Sequence, residues 1–180
     1  MYVLGEMTLL SMERTASRAV RDAFLALGGK QVAPHHEGPQ QGHEVVGVPV
    51  TVVRNHWDIV VSHWYNAKMN ERADPPISYR WLAYHFMQNR ALFPAGGMYR
   101  FLEVPGIHVL RYETLQDDLD GLLLAHGYEP IALEWVGESE ERQRRHYREY
   151  YNDLSAAFVG WAFRPEILAL GYRFEGPPGG

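Results

Sequence analysis

Two stretches of the chain carry residue types that could grip an anion. In MERTASRAV, residues 12–20, Thr15 and Ser17 supply hydroxyls while Arg14 and Arg18 supply guanidinium forks. A helix starting here would add free N–H groups and the positive end of its dipole. In RNHWDIVVS, residues 54–62, Asn55 fits a helix N-cap and Asp58, three residues on, can close a capping box. Positions 55, 58/59 and 62 share one helical face, so Arg54 and Ser62 could hold one phosphate between them. Each stretch also has a plainer reading. The first could be a Ser/Thr cap beside solvated arginines, and the second an Arg54–Asp58 pair with Ser62 as a small packing residue. Two such loops at neighbouring strand ends favour a ligand with phosphates at two separated positions. Neither is a Walker A loop, because G-x-x-x-x-G-K-[ST] occurs nowhere in the chain, which disfavours ATP and GTP enzymes of that kind.

The surrounding pattern must place these loops. MTLLSM (7–12) predicts a short buried strand, followed by a helix with Ala16, Ala19, Val20, Ala23, Phe24 and Leu27 on one face and Gly28-Gly29 at its end. KQV begins a brief strand and passes into the loop APHHEGPQQG. The β-branched run 46–54 predicts a strand covered on both faces, and a helix follows over about 55–67. ISYRWLAYHFMQNRALF predicts a further helix, and 106–113 another strand. In TLQDDLDGLLLAHG the stripe Leu115, Leu119, Leu122 and Leu123 predicts a helix, with Thr114 as its cap and Gly127 as its stop. SEERQRRHYREYYNDLSAAFVGWAF reads as helical through much of its length. Strand and helix alternate, so the expected fold is α/β, a parallel sheet flanked by helices on both faces. Ligands in such sheets bind at the carboxyl ends of the strands, which singles out ERTASR, APHH, RNHWD and RYE.

Composition narrows the class. A chain of 180 residues with 46% hydrophobic residues is expected to form a single domain with a sizeable core, residues 175–180 (EGPPGG) forming a flexible tail. The net charge of −5 argues against a nucleic-acid partner, so any anion site must be local. The absence of cysteine excludes disulfides and thiolate metal sites and fits a reducing compartment. No apolar run approaches the roughly 20 residues of a membrane span. With no basic region ahead of the first apolar stretch, a cytoplasmic protein without a signal peptide is expected.

Taken together, these stretches resemble the sulfotransferases that use 3′-phosphoadenosine-5′-phosphosulfate (PAPS). VVRNHWDIVVSHW is similar to the family's 3′-phosphate motif, roughly R-N-P-x-D-x-x-x-S, through Arg54, Asn55, Asp58 and Ser62. MERTASRAV is similar to the 5′-phosphosulfate loop, often P-K-[ST]-G-[ST]-[ST]. HVLRYETLQDDLDGLL and the C-terminal YREYYNDLSAAFVGWAFRPEILALGYRF resemble segments of the carbohydrate and bacterial branch. His56 stands where the motif has proline, Arg14 where lysine is usual, and Ala16 where a loop glycine is usual.

The resemblance implies a P-loop-like topology and transfer of a sulfuryl group from PAPS to a hydroxyl, of a glycan or other small-molecule acceptor. Arg14, Thr15, Ala16, Ser17 and Arg18 would hold the 5′ end, with Arg14 near the transferring group, and Arg54 and Ser62 would hold the 3′-phosphate. The catalytic base would be His36 or His35, with Glu37 as the alternative; no metal is required. The cluster Arg142, Arg144, Arg145 and Arg148, interleaved with Tyr147, Tyr150 and Tyr151, could close over the ligand or be a solvated face. Trp57, Trp64 and Tyr65 could stack on adenine or belong to the core. The competing expectations are a small-molecule kinase of related topology and a nucleotide-binding module without turnover.

Overall fold

The computed structural model describes residues 1–12, 14–34, 42–68, 76–88, 101–134 and 146–174. The contacts gather the chain into two compact units. One comprises Met1–Arg54 with Phe101–Gly137, the other Asn55–Arg100 with Glu138–Gly180.

The first unit is a five-stranded mixed sheet with helices against it. Its strands are β1 (Tyr2–Leu4), β2 (Met7–Leu10), β3 (Lys30–Gln31), β4 (Val48–Val53) and β5 (His108–Arg111), in the order β3-β1-β2-β4-β5. β2 pairs with β4 and β4 with β5 in parallel, whereas β1 is antiparallel to both β2 and β3. Four strands therefore run one way, and β1 alone is reversed between β3 and β2. The expectation of a purely parallel sheet is corrected at this strand. Leu4 pairs with Met7 across a two-residue Gly5-Glu6 turn, so the chain doubles back before any helix can intervene.

Helices α1 (Ser17–Ala26) and α4 (Leu115–Ala125) pack on one face of this sheet. Side chains alternate across a strand, so Tyr2, Leu4, Met7, Leu9, Val50, Val52 and Leu110 share that face. They meet Val20, Ala23 and Phe24 of α1 and the predicted leucine stripe of α4. Both helices close with the same bond pair. Gly28 and Gly29 donate to the Leu25 and Phe24 carbonyls, and Gly127 and Tyr128 donate to those of Leu124 and Leu123. Thr114 stands at the N-cap of α4 as expected, without a side-chain cap bond. A 3-10 turn over Tyr112–Thr114 leads into that helix, and the Asp118 carboxylate in its first turn accepts the Arg111 N–H at 2.7 Å.

The second unit holds α2 (His56–Lys68), α3 (Tyr79–Gln88), α5 (Asp153–Ala162) and α6 (Arg164–Leu170). Asn55 caps α2 as expected, its Oδ1 accepting the Trp57 N–H at 3.1 Å. The C-terminal stretch expected to be helical through much of its length is so among the described residues, in two pieces. After a 3-10 turn over Tyr147–Tyr150, Tyr151 and Asn152 are extended, and Asn152 and Ser155 form a capping box that starts α5. Among the described residues, no helix is long and apolar enough to cross a membrane. Residues 175–180, expected to form a tail, lie outside the described residues.

Candidate functional site

The order of strands locates the site before any side chain does. From β2 the chain runs through α1 to β3 on one side of the sheet, whereas β4 lies on the other side of β2, next to β5. Connections thus diverge at the carboxyl ends of β2 and β4. Open α/β sheets bind ligands in the crevice at such a switch point. Both anion-capable stretches begin there, one after Leu10 and the other after Val53.

The loop after β2 is shaped from inside by its own hydroxyls. Ser17 Oγ donates to the Met12 carbonyl at 2.6 Å, Thr15 Oγ1 donates to the same carbonyl at 3.2 Å, and Ser11 Oγ donates to Ser17 Oγ at 3.0 Å. Thr15 and Ser17 are buried. Both hydroxyls bond within the loop itself. The backbone carries the consequence. Arg14 has φ 60° and Ala16 φ 65°, two non-glycine residues in the left-handed region. Ala16 adopts a conformation that a glycine would favour. It is the N-cap of α1 without a side-chain cap bond, and the first turn of α1 has no acidic residue. The positive end of a ten-residue helix is therefore not neutralised by a carboxylate of its own first turn. Arg18, in that turn, is exposed, and Arg14 is half-buried.

Arg54 belongs to the same place. It is 5% exposed, its Nη1 donates to the Arg14 carbonyl at 3.3 Å, and its guanidinium lies 3.7 Å from the centroid of the Tyr112 ring. Arg111 pairs in register with Val53, the residue before Arg54. The structure therefore places Arg14, Thr15, Ala16, Ser17, Arg18 and Arg54 at the carboxyl ends of the neighbouring strands β2 and β4. Ser11 and Tyr112 also take part, and neither was singled out for these roles by the sequence. A serine between a strand and a cationic loop, and the tyrosine of RYE, were the signals available.

Ser62 stands on α2 of the second unit and is half-buried. Asn55 does more than cap: its Nδ2 donates to the Arg173 carbonyl at 3.1 Å and lies 3.4 Å from the Tyr147 hydroxyl. His56, at the first helical position, is buried with its ring 5.0 Å from that of Phe163. Its Nδ1 has no hydrogen-bond partner among the described residues, and burial pushes the imidazole pKa down to about 4. Trp57 and Trp64 are buried, Trp57 Nε1 donates to the Ala156 carbonyl, and Trp64 packs edge-on against Tyr65 and Tyr150. These contacts are those of core residues. Arg148 Nε donates to the Phe174 carbonyl at 3.1 Å. His35, His36, Glu37, Arg142, Arg144 and Arg145 lie outside the described residues.

Among the described residues, no group of His, Asp and Glu could hold a metal ion. No protein-family model matches the chain, and no curated protein or solved structure matches it significantly.

Proposed function

We propose that the chain is a PAPS-dependent sulfotransferase of P-loop-like topology acting on an acceptor hydroxyl, that of a carbohydrate in preference to a small phenol. What supports the reading most is the position of the cationic loop. An α1 N-terminus without a side-chain cap, flanked by Arg14 and Arg18, sits at the switch point of the sheet with Arg54 beside it. The residues present fit a phosphosulfate end: backbone N–H groups and guanidinium forks take up its charge, while Thr15 and Ser17 keep the loop in shape. Arg54 and Ser62 are both assigned to the 3′-phosphate by the resemblance alone.

In the transfer, the acceptor oxygen forms a bond to sulfur as the bond from sulfur to the 5′-phosphate oxygen breaks, and the bonding electron pair leaves on that oxygen. Arg14 stabilises the charge growing there, which is the main task of a protein in such displacements. The acceptor's proton passes to a base, assigned to His36 or His35 on the resemblance, with Glu37 as the alternative. An imidazole titrating near neutrality suits that role.

A thermal-shift titration with adenosine 3′,5′-bisphosphate, ATP and AMP tests the binding. Ligand at one hundred times its dissociation constant stabilises the native state by about 2.7 kcal/mol. The bisphosphate should raise the melting temperature well above the effect of AMP, and Arg18→Ala should weaken that rise without lowering the melting temperature of the free protein. Stabilisation by ATP with none by the bisphosphate would favour the kinase. Binding with no release of bisphosphate from PAPS, across glycan and small hydroxyl acceptors, would leave a nucleotide-binding module.

A further inference from the structure

Arg54 and Arg14 are joined in a way that reaches beyond anion binding. A guanidinium that is 5% exposed must have its charge met locally. Its contacts include the face of Tyr112, 3.7 Å away, and the carbonyl of Arg14 at 3.3 Å. The Arg14 contact lies just beyond the roughly 2.7–3.2 Å usual for an N–H···O bond, so it depends on how the fork is aimed. The guanidinium carbon sits over the ring well within cation–π range. Arg14 is meanwhile held left-handed at φ 60°, a conformation that non-glycine residues keep only where their surroundings impose it. Tyr112 is itself well placed to impose it. It opens the 3-10 turn after β5, and the N–H of the preceding Arg111 is bound by the Asp118 carboxylate at the head of α4.

We propose that Tyr112 is a positioning residue. By stacking on Arg54 it aims the fork at the Arg14 carbonyl, and so holds the left-handed turn of the loop after β2 in its anion-ready shape. The loop is thus shaped from the end of β5 before any ligand arrives, and the two arginines respond to a bound anion as one piece. The ligand part of this rests on the loop being the anion site proposed above; the tether itself does not.

Hydrogen exchange on the free protein separates the two. Tyr112→Leu removes the ring face, and amide exchange over residues 14–19 should speed up about tenfold, with β1 amides such as that of Val3 unchanged. Tyr112→Phe keeps the ring and should exchange like the wild type. No acceleration in Tyr112→Leu, an equal acceleration in Tyr112→Phe, or a rise spread evenly over β1 would each overturn the tether. In the binding arm, Tyr112→Leu should weaken adenosine 3′,5′-bisphosphate about tenfold and Tyr112→Phe should restore the affinity. A wild type that ignores the bisphosphate refutes the functional reading, while the exchange pattern still decides the tether.

Discussion

Lowering the pH from 7 to 4 should cost the fold about 3 kcal/mol at a single side chain, His56. The imidazole is buried at the start of α2 against Phe163, and burial holds its pKa down to about 4, from an ordinary value of 6.5. The folded chain therefore refuses a proton that the unfolded chain accepts once the pH falls below 6.5. Stability contributed by the neutral ring is full above that value and drains away as the pH falls toward 4. From the two pKa values the loss is about 1 kcal/mol at pH 5.5 and about 3 kcal/mol at pH 4, each relative to pH 7. Other groups titrate in the same window, so the measurement is a difference. Urea unfolding of the wild type and of His56→Phe would be followed at half-unit steps from pH 7 to 4. Phenylalanine keeps a ring against Phe163 and removes the Nδ1 atom that has no partner among the described residues. The variant should be within about 1 kcal/mol of the wild type at pH 7 and gain on it steadily below pH 6.5. A difference that stays constant from pH 7 to 4 would refute the claim that His56 is held neutral by burial.

Ala16→Val should lose roughly 2 kcal/mol in chemical denaturation, because a β-branched residue is a true outlier at φ 65°. Ala16→Gly should stay within about 1 kcal/mol of wild type, strain relief being offset by the greater freedom of glycine when unfolded. Gly47→Ala should lower the melting temperature sharply. Gly47 has φ 71°, and a Cβ there would run into the Glu6 carbonyl oxygen that binds the Val48 N–H at the entry to β4. Asn55→Ala should cost roughly 1–3 kcal/mol by removing the α2 cap and the bond to the Arg173 carbonyl, seen as a lower urea midpoint.

Much of the fold was legible because it follows simple periods. The leucine stripe of α4 and the β-branched run of β4 each carry one dominant pattern, and each forms the element expected. β1 escaped because three residues are too few for a period of two to show. Its signal was the turn instead: a glycine-led two-residue loop between apolar runs, YVL-GE-MTLL, is a hairpin pattern. The break at Tyr151 and Asn152 was hidden because tyrosines and arginines suit a helix as well as a 3-10 turn. At the crevice the sequence identified the residue types but not their orientation. Thr15 and Ser17 offer the same hydroxyls whether they face a phosphate or the Met12 carbonyl, and only the left-handed backbone at Arg14 and Ala16 decides between them. The stack of Arg54 on Tyr112 joins the ends of two strands, and no local pattern announces it.

The reversed β1 also leads us to expect an order of assembly, since its pairing with β2 is local and that of β2 with β4 is not. β1 and β2 meet across a two-residue turn, a closure of the kind that takes microseconds. The pairing of β2 with β4 spans 41 residues at Leu10 and Thr51, so it carries a loop-closure penalty and comes late. Until β4 arrives, one edge of Met7–Leu10, fully buried in the finished fold, has no strand beside it. The contact of Arg54 with the Arg14 carbonyl depends on the same pairing of β2 with β4 that protects this edge. A nascent chain delayed at that point would be both without its anion loop in place and open to pairing with another copy of itself.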